Sequence, residues 1–311
     1  MTDQSAATVP GGADVRRPGG RDRLRATLGG RGLPYWLVLP AILYLTLFFA
    51  WPMVQAFGLA FVGEDGGLTL DHVRTMVDDV AFPDALRFTL LLLVIIIPIE
   101  FAVALAMALM VNNPRLRGRG LFLYVFAIPL AVSELAAGIV WFAIFTQQGY
   151  LNSALQQLGL QDIPFIWLDP RATEQLLLAV VLAEVWRSTS LIMIILVAGL
   201  QGIPRDYLEA AELFGASFFT KVRKVILPML KPSIQVALIF RTILAFQVFA
   251  TVIALTGRGA TVLTAEAYRW QTDIRDANVA AAYAGLILAL SILSAMVILR
   301  LTRTPREQRM I

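Results

Sequence analysis

The chain contains no cysteine and one histidine, His72, in 311 residues. Without cysteine there is no disulfide framework, no thiolate zinc site and no thiol nucleophile. A single histidine excludes histidine clusters, and with them most metal centres and imidazole relays. Lysine is nearly absent too: Lys221, Lys224 and Lys231 are the whole complement, and they are followed by Val222, Val225 and Pro232. A P-loop needs lysine followed by serine or threonine, behind a glycine-rich turn that wraps phosphates in backbone N–H groups. None is present, so ATP hydrolysis by such a loop is excluded and no enzyme activity is expected. Charged residues of all kinds make up 15% of the chain, against 58% apolar. A soluble domain has about 25% charged. This balance excludes a disordered chain and argues against a soluble one.

What is present is long apolar sequence. Six stretches are nearly uncharged: residues 35–61, 88–111, 121–146, 175–200, 233–256 and 278–299. About 20 helical residues cross a hydrocarbon layer of roughly 30 Å. One such stretch could be a core helix of a soluble protein, but six could not be covered by the polar remainder. The sequence therefore predicts an all-α membrane protein with six spans. Pro40, Pro52 and Pro98 are expected as kinks, because neighbouring helices re-satisfy freed backbone groups. Residues 1–33 are too long, too arginine-rich and too poor in apolar residues for a cleavable signal, so the first span is expected to stay as an anchor.

The basic residues set an orientation. Eighteen fall in the N-terminal segment, between spans two and three, between spans four and five, and at the C-terminal end; the three opposite loops (62–84, 147–174 and 257–277) hold five. Both termini are thus expected in the cytoplasm. The expected organisation is a disordered basic tail (1–33), a transmembrane domain (34–302) and a short cytoplasmic tail (303–311). The basic segments suit contact with anionic membrane lipid. They lack the aromatic interleaving of a nucleic-acid site, and nucleic acid is not an expected partner. Of the external loops, 62–84 is acidic and 147–174 is the longest, at 28 residues. Such loops suit the docking of a soluble partner.

Residues 201–232 do not read as a plain linker. Asp206 is suited to cap a helix, with Glu209 completing a capping-box pair. Residues 207–214 are good helix formers, and Gly215 suits a left-handed stop. Ser217 can cap a second helix with Phe218, Val222, Val225 and Ile226 on one face. Pro228 and Pro232 are expected to end it. A basic amphipathic helix of this kind fits a lipid surface or the docking of a cytoplasmic partner.

These residues resemble a known signature. The run Glu209, Ala210, Ala211, Glu212, Leu213, Phe214, Gly215, Ala216, followed by Ile226, Leu227 and Pro228, resembles the EAA loop of binding-protein-dependent ABC importer permeases. It stands, as in that family, before the next-to-last span. Ile128 with Pro129, Trp141, Gly149 with Asn152, Trp167, Glu184 with Trp186, and Leu255 with Gly257 are similar to its carbohydrate branch. The chain departs from the family pattern at Phe214, where aspartate is usual. The resemblance implies a type I importer permease of the bacterial cytoplasmic membrane, for a sugar or oligosaccharide. Glycerol-3-phosphate or another small polar solute is the alternative. It implies a second permease, two copies of a P-loop ATPase carrying ATP and Mg, and an extracytoplasmic solute-binding protein. Glu209, Ala210, Ala211, Phe214, Gly215, Ala216 and Pro228 would then couple the chain to the ATPase.

Charges inside spans are costly and should face protein or a wet cavity. Glu184 and Arg187 are spaced to pair on one helix face. Arg241 has no partner in its own span, which leaves Glu100 or Glu134. Aromatic and amide or hydroxyl side chains suited to a sugar fall at Phe246, Gln247, Phe249 and Thr251 in the fifth span, and at Asn278 and Tyr283 in the sixth. A secondary transporter or channel would show interrupted helices repeated in two halves; no such repeat is visible.

Overall fold

The structure is a computed structural model that describes residues 33–63, 65–113, 116–257 and 259–302. The expected tails lie outside the described residues, apart from Leu33. The chain divides into two units, the first ending at Ala56 and the second beginning at Phe57. In the first unit, α1 (Leu33–Leu45) runs through a π-helical turn (Thr46–Ala50) into α2 (Trp51–Gly58), within which the division falls. Pro52 explains the wide turn. A proline ring clashes with the carbonyl four residues back and brings no N–H. In the π turn the Trp51 N–H bonds to Thr46 instead.

The second unit holds α3 (Asp71–Asp78), α4 (Phe82–Asn112), α5 (Arg119–Ala127), α6 (Glu134–Phe145), α7 (Tyr150–Gln157) and α8 (Thr173–Gln201). After them come α9 (Arg205–Leu213), α10 (Phe218–Lys221), α11 (Leu227–Phe246), α12 (Ala250–Thr256), α13 (Leu263–Arg269) and α14 (Ala277–Leu301). No β-strand occurs among the described residues, only the isolated bridge Val62 to Leu68. Among the described residues five helices are long and apolar enough to cross a membrane, or six if one bent pair counts as a span. The longest pairing is α4 against α8. It is close because alanines face inward: Ala104, Ala108 and Ala183 are fully buried. Outward, α4 and α14 expose Leu90, Val94, Ile99, Ile292 and Leu293. Apolar surface of that extent on both helices suits lipid, not water.

Two expected spans are interrupted. The stretch 121–146 is a bent pair, Arg119–Ala131 and Glu134–Gln157, at 99°. Pro129 begins a 3-10 turn (Ile128–Ala131), Val132 and Ser133 are extended, and the Ser133 side chain caps α6 by accepting from the Ala136 N–H at 3.2 Å. The Phe126 carbonyl at this corner accepts from the Ser190 hydroxyl of α8 at 2.6 Å. The stretch 233–256 breaks between Phe246 and Ala250. Beyond the break α12 presses on α6 at Gly138, where an added Cβ would stand 2.7 Å from the Ala254 Cβ.

Three local expectations for 201–232 are corrected. Asp206 does not cap: α9 begins two residues earlier than expected, with Pro204 at the cap position and Asp206 in the first turn. Pro204 fits there because the preset proline φ suits helix entry and the first N–H groups are unpaired anyway. Pro228 and Pro232 do not end the second helix, which continues, basic at its start and apolar beyond, from Phe218 to Phe246. A π turn at Val222–Ile226 relieves Pro228 as the earlier one relieves Pro52, with the Leu227 N–H bonding to Val222.

Candidate functional site

The turn after α9 has the geometry of a tight helix stop. Gly215 takes φ 71°, a left-handed conformation in which a Cβ is strained. The Gly215 N–H bonds to Glu212 and the Ala216 N–H to Ala211, both at 2.9 Å. These are the paired bonds of a Schellman stop. Ser217 then caps α10, accepting from the Thr220 N–H at 3.3 Å. Lys221 on α10 pairs with Glu212 on α9. The two helices are thus tied by a turn and an ion pair. Glu209, Ala210, Gly215 and Pro228 are exposed, while Ala211 and Ala216 are half-buried. Leu213 and Phe214 stand 89% and 91% exposed, so this compact knot presents apolar side chains outward.

Within the expected spans, Glu100, Glu184, Arg187 and Arg241 collect at one place. Arg241 on α11 is fully buried. Its Nε donates to Glu100 of α4 at 2.6 Å and its Nη2 to Glu184 of α8 at 3.2 Å. Arg187, half-buried, donates to the same Glu184 at 3.0 Å. Two cations and two carboxylates thus balance, as buried ions must. Thr251 of α12 donates its hydroxyl to Glu184 at 2.9 Å, joining a further helix to the cluster. Of the two partners open to Arg241 from sequence, the structure pairs it with Glu100. Glu134 instead accepts backbone N–H groups, from Phe249 at 2.7 Å and Thr251 at 3.3 Å.

The residues chosen from sequence as a solute path do not share one surface. Phe246 is buried in an apolar cluster with Phe88, Leu92, Val180 and Val252. Tyr283 is fully buried and donates to Asp79 at 3.2 Å. Asn278 lies 3.3 Å from the His72 ring nitrogen. Gln247 is exposed at the break in the fifth span, and Phe249 is half-buried beside it, its ring 5.1 Å from that of Tyr268.

Two polar hubs were given no structural role from sequence, although Asn152 was among the residues of the family resemblance. Asn152, 1% exposed, donates to the carbonyls of Gln147 and Phe165 at 3.0 and 2.8 Å. Its Oδ1 accepts from Trp167, Gln161 and the Phe165 N–H at 3.1, 3.0 and 3.3 Å. One amide thus closes the long loop after α6. The other hub is Asp79, which accepts from Arg269, from Trp270 at 2.8 Å, from Tyr283 and from the Ala81 N–H at 3.2 Å. Burial disfavours the charge on Asp79. The Trp270 and Ala81 hydrogen bonds and the Arg269 guanidinium outweigh it and hold this carboxyl below its usual range. No periodicity marks either residue, since each works through partners distant in sequence. Among the described residues no group of three or more acidic or histidine side chains is placed to hold a metal.

Apolar helices long enough to cross a membrane, a buried ion cluster and an exposed helical knot define a polytopic membrane protein. Residues 100–303 match the family model described as binding-protein-dependent transport system inner membrane component. The sulfoquinovosyl glycerol transport system permease protein SmoG of Agrobacterium fabrum is 32% identical over 89% of this chain and 92% of its own length. The trehalose/maltose transport system permease protein MalF of Thermococcus litoralis is 40% identical over 42% of this chain and 44% of its own. Among solved structures, a chain of a bacterial ABC transporter involved in import of the acidic polysaccharide alginate superposes with TM-score 0.78. It covers 90% of this chain and 98% of its own at 22% identity, a likeness of fold. The chain belongs to the binding-protein-dependent transport system inner membrane components and is a multi-pass inner-membrane permease subunit.

Proposed function

We propose that this permease forms half of the translocation pathway of an ATP-driven importer for a sugar or oligosaccharide, and that α9 is its docking element for a cytoplasmic ATPase. The observation that carries the coupling role is the Schellman knot at Gly215, with Leu213 and Phe214 exposed beside Glu209. A rigid knob with an apolar tip fits a cleft on a partner. The sugar reading is supported by the relatives, whose names specify sulfoquinovosyl glycerol and trehalose or maltose. Both termini and the 201–232 segment would face the cytoplasm. The extracytoplasmic binding protein would dock on the opposite loops, and a second permease would complete the path.

In this reading ATP and Mg on the partner close two ATPase subunits, which carry α9 with them. The Lys221–Glu212 pair and the short turn pass that motion to α10. From there a single helix reaches Phe246, so the knot is mechanically joined to the middle of the bundle. The binding protein releases solute into the cavity that opens. The test is co-purification from native membranes in mild detergent, with ATP-driven uptake measured in parallel. Wild type should bring down a P-loop ATPase and a second permease. The double variant Glu209→Lys with Gly215→Pro should insert normally, lose the ATPase and lose uptake. Normal uptake by the double variant would refute the docking role.

A further inference from the structure

The fifth span breaks at a sequence with no reason to break. Residues 246–250 read Phe, Gln, Val, Phe, Ala, with neither proline nor glycine. Sharp helix interruptions almost always have such a residue or an inserted side chain as their cause. The backbone accounting identifies the inserted side chains. Gln247 and Val248 still donate backward to Leu244 and Ala245, at 3.1 and 3.4 Å. The Phe249 N–H leaves the helix and donates to Glu134 of α6 at 2.7 Å, joined by the Thr251 N–H at 3.3 Å. The freed Val248 carbonyl accepts from the Thr264 hydroxyl of α13 at 2.6 Å. Buried backbone groups left unpaired cost about 1–3 kcal/mol each, so a break persists only where other groups serve it.

The break has a consequence for side chains. Gln247 is exposed and Phe249 half-buried, with Tyr268, 54% exposed, against the Phe249 ring. Gln247 thus keeps its amide exposed where the apolar helix Phe218–Phe246 ends. An amide beside two aromatic rings is also what a sugar requires: hydrogen bonds for its hydroxyls and flat apolar faces for its ring.

We propose that Glu134 and Thr264 are positioning residues for translocation. By serving both sides of the break they hold Gln247 and Phe249 out of helical register, as an amide-and-aromatic contact for the solute. This rests on the sugar-importer reading. Neither positioning residue needs to touch the solute.

The chain has no cysteine, so Gln247→Cys introduces a single thiol. Its labelling rate with a membrane-impermeant maleimide is measured on the full chain in native membranes, which requires neither ATPase nor solute. Glu134→Ala and Thr264→Val remove the hydrogen bonds, while Glu134→Gln and Thr264→Ser keep an acceptor and a donor. With the bonds removed the span should rewind, and labelling should slow about 10-fold or more. The conservative variants should stay within about 3-fold of the parent. In chains that retain Gln247, the same Ala and Val variants should raise the KM of uptake more than they lower kcat, with rescue by Gln and Ser. Equal labelling in Ala and Gln, or in Val and Ser, would overturn the positioning role. If Glu134→Ala is not recovered from membranes, the Thr264 pair decides by itself. Slowed labelling with unaltered uptake kinetics would overturn the part in translocation. Failure of the sugar reading shows separately, as absence of sugar uptake by the wild type.

Discussion

Arg241 and Glu100 meet at 2.6 Å with both side chains fully buried, linking α11 to α4 across 141 positions of sequence. The pair sits in a cluster whose two cations and two carboxylates balance. Removing one member leaves a buried charge without compensation, at a cost of about 3–5 kcal/mol. Glu100→Leu should therefore cut folded yield sharply and lower the melting temperature in detergent. The double variant Glu100→Leu with Arg241→Met leaves Glu184 paired with Arg187, and should recover most of that loss. Thermal unfolding of the three proteins checks this, and a double variant no better than the single one would contradict it.

The long loop after α6 should depend on Asn152. Truncation to alanine leaves Trp167 Nε1, the Phe165 N–H and two carbonyls without their partner. A fully buried group left unpaired costs about 1–3 kcal/mol, and these part-buried partners should lose less each. Limited proteolysis of Asn152→Ala should give new cleavage around residues 158–166, with the spans intact. Leu158, Leu160 and Ile163 are already exposed there. An unchanged digestion pattern would show that the loop is held by other means.

Acid should release the contact at Asp79. Its carboxyl titrates lower in the folded chain than in the unfolded one, so the folded state is favoured while Asp79 is charged. The contribution is present above the unfolded pKa, near about 4, and disappears as pH falls through the lower folded value. Asp79→Asn should melt below wild type at neutral pH, and the two curves should converge as pH falls below about 4. A constant gap across that range would mean that hydrogen bonding, not charge, carries the contact.

Some of this was readable from the chain, for local reasons. Gly215 and Ser217 announce a left-handed stop and a helix cap because each acts on backbone groups within four residues of itself. Asp206 misled because a proline two residues earlier was a better entry to α9. Pro228 misled because the π turn before it widens the helix and makes room for a ring that has no N–H to give, so the helix runs on. Glu184 and Arg187 were legible as neighbours on one face. The choice of Glu100 over Glu134 for Arg241 was not, since it depends on how α4, α6 and α11 are placed around one another.

The sequence by itself determined that long apolar helices dominate, that there is no cysteine and no lysine followed by serine or threonine, and that a glycine stop and a serine cap fall at 215 and 217. These follow from composition, run length and spacing, which act through solvent and local backbone. Only the tertiary structure decided where the spans break. At Gln247 to Phe249 no local residue favours a break, and a carboxylate from α6 and a hydroxyl from α13 make it affordable. Inside a membrane a backbone group must find a partner somewhere, and which side chain supplies it is set by packing between helices far apart in sequence.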